Sequence, residues 1–224
     1  TAVLGAAHTA RIDLTGIRET VRPLTRRTQK TDRPLTDDEI ALLRTHCATS
    51  LTTPASALAA TVYTLCDAGA ELREVTLVTP ADIDSVSTPT LVYALGNRTV
   101  QARLLPLEGF HTRSLARRLA SPQVTALKKP IAYNPRTNQA GSDQAMISAY
   151  GVTNRLLDAV GLRQPDVAPS SIRRWRIAHT HDTQGVAAAI QIAGCKPDAV
   201  LRLADREATR TQTSVRAAIT RFGD

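Results

Sequence analysis

Residues 167–195, VAPSSIRRWRIAHTHDTQGVAAAIQIAGC, hold the reading of the fold. The stretch begins with a turn, enters a basic helix carrying Arg173, Arg174 and Arg176, and continues into a short apolar helix that stops at Gly194. A glycine just past the last apolar residue is a usual helix stop, because it takes up the left-handed conformation without a Cβ penalty. Trp175 is the only tryptophan and sits among these arginines, where packing as a core anchor outweighs stacking on a base.

Working outward, helical signals recur along the chain. Thr36-Asp-Asp-Glu39 is a capping box with Leu35 placed as a hydrophobic staple, so a helix is predicted over 35–50, with Ile40, Leu42 and Leu43 on its buried face. A second helix starts at Pro54 and runs through Ala57, Leu58, Val62 and Leu65 to Gly69. Residues 71–84, ELREVTLVTPADID, read as a short helix and a Thr79-Pro-Ala turn. TLVYA (90–94) and RLLPL (103–107) are β-like runs about the turn Gly96-Asn97, predicting a hairpin or three-stranded sheet. Residues 111–119 should be helical with Arg113, Arg117 and Arg118 outside, and 127–142 a long loop. Residues 146–160 should form a helix burying Ile147, Val152, Leu156, Leu157 and Val160. The expected class is mainly α, or α+β, with one small antiparallel sheet.

Composition sets bounds on function. Aromatic residues make up only 3%, so the core must come from Ala, Leu, Val and Ile, which favours packed helices. No apolar run is long enough to cross a membrane and no signal-peptide pattern opens the sequence, so a cytoplasmic protein is expected. Cys47, Cys66 and Cys195 lack metal-ligand spacing and read as small packed residues. In H-T-H-D (179–182), His179 and His181 diverge on a helix, so no metal or other cofactor is expected.

The charge is unevenly placed. The chain carries a net +8, yet residues 1–97 hold 9 Lys and Arg against 11 Asp and Glu, while 98–224 hold 19 against 9. A basic excess confined to one part suits a polyanion-binding face. The basic segment TRRTQKTDRP (25–34) reads as a linker.

The order of these landmarks resembles the catalytic domain of the tyrosine recombinases and phage integrases. The resemblance rests on LTDDEIALLR (35–44), ELREV (71–75), Asp82-Ile-Asp84, a hairpin ending in Pro106-Leu107, Pro169-x-x-x-Arg173 and Ile190-Gln-x-x-Gly194, and covers residues 34–205. It implies three parts: 1–33 as the end of a core-binding domain with its linker, 34–205 as the recombinase-like domain, and 206–224 as a tail through which homo-oligomers would form.

The same resemblance implies a site stripped of catalysis. Glu71 falls where the family has its first catalytic Arg. Arg98 or Gln101 replaces the hairpin Lys, Ser170 the His of the His-x-x-Arg box, and Cys195 the His of the Gly-His pair. Arg173 alone matches. The nucleophilic Tyr belongs near Ala204, but no Tyr follows Tyr150. Arg73, near Glu71, would point to another face of its helix and cannot substitute. A carboxylate in the first Arg position would repel the phosphate oxygens that the family clamps. The alignment therefore predicts that Glu71 and Arg173 share one pocket.

The expectation is an inactive, double-stranded-DNA-binding relative that holds phosphates through Arg98, Arg103, Lys128, Lys129, Arg136, Ser170, Ser171, Arg173, Arg174 and Arg176. Two alternatives stand beside it: an active strand transferase using Tyr133 or Tyr150, and a helical protein-interaction module.

Overall fold

The computed structural model describes residues 32–49, 53–121, 124, 129–134 and 139–195, all within a compact unit that begins at Asp32. Among them are seven α-helices and one two-stranded sheet. The helices are α1 (Asp37–Thr49), α2 (Pro54–Asp67), α3 (Leu72–Val75), α4 (Gly109–Leu119), α5 (Asp143–Ala159), α6 (Pro169–Gln184) and α7 (Val186–Ala193); the strands are β1 (Leu91–Ala94) and β2 (Arg103–Pro106).

Helix α2 is the hub. Its sequence, PASALAATVYTLCD, is small and apolar around the whole circumference, the pattern of a helix buried on all sides. Residues 60–67 are all buried, and α1, α3, α4, α5 and α6 pack around it. Its hydroxyls are satisfied inside: Thr64 Oγ1 donates to the Ala60 carbonyl and lies 2.7 Å from Ser114 Oγ. At its C-terminal end Asp67 is fully buried between Arg44 Nε, at 2.8 Å, and His111 Nε2, at 3.1 Å. His111 Nδ1 accepts the Glu108 backbone N–H, which leaves the ring proton on the nitrogen facing Asp67. Burial pushes the Asp67 carboxyl up, but His111 and Arg44 outweigh it and hold the group below the usual value.

The predicted helix starts are present. Glu39 N–H donates to Thr36 Oγ1 and Thr36 N–H to the Glu39 carboxylate, closing the capping box, and Leu35 is buried beside it. Two predicted core positions are corrected. On α1 the inward face is Ile40, Leu43 and Cys47, and Leu42 is 45% exposed; on α5 it is Ala145, Ala149, Thr153, Leu156 and Leu157, with Ile147 55% exposed. In both helices residues at i, i+3/i+4 and i+7 turn inward, and Leu42, one position from Leu43, and Ile147, two positions from Ala145 and Ala149, do not share that face. Helix α5 also starts earlier than expected, at a Ser142 cap whose Oγ accepts the Ala145 N–H.

The hairpin pairs Leu91 with Pro106 through Ala94 with Arg103, and Ile83 adds a single bridge to Val92. Its far side is covered by α7, which contacts β2. Helices α6 and α7 are separated by Gly185, and α7 ends at Gly194 in the left-handed region (φ 60°), as the sequence predicts. Trp175 is 7% exposed, donates from Nε1 to Asp37 Oδ1 at 2.7 Å and stacks on His179, so it is the packing anchor of α6 against α1. Asp32 and Arg33, placed in the linker by sequence, pack on the domain: Arg33 N–H donates to the Asp166 carbonyl and its guanidinium pairs with Glu39. No described helix is long and apolar enough to cross a membrane.

Candidate nucleic-acid interface

Four segments converge around the end of α2: the N-terminus of α3, the hairpin, α6 and the end of α7. At their centre is the Gly69 carbonyl, which accepts from Arg173 Nε at 2.9 Å and from Arg103 Nη2 at 3.0 Å. Gly69 turns the chain here at φ 111°, a conformation that disfavours any side chain, and a Cβ would meet the Ile192 side chain at 2.6 Å.

Arg103 is a clamp. Its five N–H donors reach the Ile192, Gln101 and Gly69 carbonyls and both oxygens of Glu74, whose Oε1 lies 2.6 Å away. Glu74 is fully buried and its Oε2 also accepts the Glu71 backbone N–H. The pair joins α2, α3, β2 and α7, and leaves Arg103 nothing to offer a phosphate; its predicted place in the interface is corrected.

Arg173 sits one shell further out. Besides Gly69 it donates from Nη2 to the Ala193 carbonyl. Burial first, then the like charge of Arg103, pulls its guanidinium below the ordinary arginine value, while Glu74, Glu71 and Cys195 act the other way. Glu71 and Arg173 are thus close enough to interact, as the alignment predicts. The Glu71 carboxylate has a partner that sequence reasoning missed: it accepts a hydrogen bond from the Asn97 side chain at the hairpin turn. Asn97 Oδ1 meanwhile accepts the N–H groups of Thr99 and Val100, fixing the turn on which Arg98 stands exposed. The only sequence signal for this was the Gly96-Asn97 turn itself.

Arg73 faces elsewhere. It donates to the Gly141 carbonyl at 3.0 Å and pairs with Asp143 at the start of α5, so it does not reach the Arg173 pocket.

The remaining predicted contacts divide. Ser171 is fully buried and its Oγ accepts the Ala168 N–H, a capping bond for α6, so its assignment to a phosphate is corrected. Arg176 is 1% exposed and pairs with Glu108 at the N-cap of α4, so it presents no free surface to a phosphate and its assignment is corrected too. Ser170 Oγ donates to Asp32 Oδ2 at 2.5 Å and Arg174 to the Asp32 carbonyl, so both are engaged by the incoming chain. Arg98 and Lys129 are exposed. Lys128, Arg136 and the tail after residue 195 lie outside the described residues. Among the described residues no group of His, Cys, Asp or Glu is arranged to hold a metal ion.

No protein-family profile and no curated protein sequence matches the chain. Solved structures do. The crystal structure of XerA recombinase superimposes with a TM-score of 0.60 at 15% identity, covering 89% of this chain and 68% of that one. XerH site-specific recombinase in a post-cleavage complex with its palindromic difH substrate gives 0.61 at 14% identity, over 82% of this chain and 52% of XerH. The Tn1549 transposon integrase in complex with circular intermediate DNA gives 0.54 at 14% identity, over 79% and 64%. This chain therefore spans about half the length of XerH. With its helices packed around α2 and one small hairpin, this chain has the catalytic-domain fold of the tyrosine recombinases and integrases.

Proposed function

We propose that this domain binds double-stranded DNA and neither cleaves it nor forms a covalent intermediate. The observation that carries the reading is the state of the Arg173 pocket: a carboxylate, Glu71, lies within electrostatic reach of Arg173, the one arginine that the resemblance matches to the family pattern, and is bonded to the hairpin turn. In such a pocket the pentavalent phosphate would meet one guanidinium and one repelling carboxylate instead of a cationic clamp. The nucleophile position of the resemblance, near Ala204, is also unmatched, since no Tyr follows Tyr150 in this sequence, and Tyr63 is fully buried with its phenol pushed well above its ordinary value by burial.

Binding needs only cations on the surface. Arg173, with the donors not spent on Gly69 and Ala193, would meet a phosphate at the pocket mouth; Arg98 on the braced hairpin turn would flank it, and exposed Lys129 would add charge. Arg113 and Arg117, exposed on α4, supply further charge. Contacts of this kind hold the backbone and leave base sequence unread. The support from relatives is that XerH and the Tn1549 integrase were solved on DNA.

The test is fluorescence anisotropy of a labelled duplex titrated across salt concentration. Three to five phosphate contacts predict a slope of log affinity against log salt of about −3 to −4.5. Glu71→Gln should tighten binding several-fold, because it removes a negative charge beside the proposed phosphate without removing the Asn97 bond. No binding at low salt, or no effect of Glu71→Gln, would remove the pocket from the interface.

A further inference from the structure

Away from the Arg173 pocket, the end of α1, the start of α2 and the second half of α5 border a half-open cavity of about 220 Å³. Its walls are aliphatic, from Leu58, Ala59, Ala60, Val152, Leu156 and Ala159. Cavities of roughly 150 Å³ with such walls stay dry and accept a benzene ring. This one is larger and opens to solvent, so it has room for a ring and a few methylenes.

Arg155 is the one permanently charged side chain of the lining. His46 and Ser56 add polar groups, and no Asp or Glu lines it. Arg155 is exposed and makes no ion pair among the described residues. Cys47 completes the lining as a neutral thiol: burial, helped by Asp67, pushes it up to about 12, so no thiolate opposes an incoming anion. An apolar chamber with an unpaired guanidinium at its mouth matches a ligand with an apolar body and an anionic end.

We propose that this cavity binds a small organic monoanion of the arylalkanoate type, with its ring between α2 and α5 and its carboxylate on Arg155. The site is separate from the DNA-binding reading and does not depend on it. The ring gains by leaving water, and the carboxylate supplies orientation through a charge-assisted bond.

The experiment is a titration of isotopically labelled protein with 4-phenylbutyrate, followed by methyl NMR, with uncharged 4-phenylbutyramide in parallel. Saturable shifts are expected at Leu58, Val152 and Leu156, with the amide at least about tenfold weaker. Arg155→Gln should bring the carboxylate down to the level of the amide. Ala159→Phe and, from the opposite rim, Ala55→Phe replace exposed residues and should fill the chamber, abolishing binding while the circular dichroism spectrum stays native. Equal binding of acid and amide to the unaltered protein, shifts that survive both filling variants, or no saturation at millimolar ligand would each overturn the proposal.

Discussion

Arg103 shows what a single residue's environment does to its meaning. In the sequence it is one more arginine in the basic part of the chain, on a hairpin expected to face DNA. In the structure it is buried with Glu74 and all five of its donors are used internally. Nothing local announces this, because the burial comes from α7 returning over β2 some ninety residues later in the chain. Replacing it with Met leaves Glu74 charged, buried and short of its partner, which should cost about 3–5 kcal/mol of stability. Denaturant unfolding checks this; a loss within about 0.5 kcal/mol, the range of an ordinary surface change, would contradict the clamp. Glu71 was more legible, since its place in the alignment predicted that it and Arg173 lie close enough to interact.

The titration behaviour belongs to the same scale. The folded-state values of Asp67, Glu39 and Glu108 are all depressed, and their ordinary values are 3.8 for Asp67 and 4.5 for the two glutamates. A depressed carboxyl contributes stability that is fully present above its unfolded value and is lost as pH falls through the folded one. Thermal unfolding followed against pH should therefore show a stable plateau above about pH 5 and a progressive decline below it. Asp67→Asn should lower the plateau and flatten the decline. An unchanged slope in that variant would mean that Asp67 is not a principal source of the acid sensitivity.

At the scale of elements, the signals that the sequence carries most clearly are those made locally. The Thr36–Glu39 capping box, Pro54 in the first turn of α2, the Gly96-Asn97 turn and the Gly194 stop all involve residues within a few positions of one another, and all are present. The faces of amphipathic helices were less legible. Leu42 and Ile147 are large and apolar but exposed, while smaller Cys47, Ala145 and Ala149 take the inward positions, because close packing on Ala-rich α2 favours small contacts. Gly194 makes a prediction at this scale. It has φ 60°, and a Cβ there would meet Arg103 Cδ at 2.8 Å and Val100 Cγ1 at 2.9 Å. Gly194→Ala should thus cost about 1–3 kcal/mol, from backbone strain and displacement of the clamp together. A shift in the thermal midpoint measures it, and a neutral result would contradict the close approach of α7 to the hairpin.

For the whole molecule, architecture and chemistry are separable. The fold places α6, α7 and the hairpin as recombinases do, at an identity of 14–16% with the solved structures, because the packing around α2 constrains size and polarity more than identity. The chemistry would be carried by a handful of positions, and the resemblance puts Glu71, Ser170 and Cys195 where the family pattern has an arginine and two histidines. The uneven charge, with 19 basic residues against 9 acidic ones from Arg98 onward, remains suited to a polyanion even though Arg103 and Arg176 are withdrawn from the surface. The site list read from sequence was too generous for that reason: charge is visible in a sequence, and its internal neutralisation is not.

Incubation with an end-labelled, nicked suicide duplex, resolved on a native gel and again after denaturation in SDS, tests the central claim most directly. A retarded band that disappears completely in SDS is the predicted result, since it reports binding without a covalent bond. An SDS-resistant adduct, or no retardation at low salt, would contradict it.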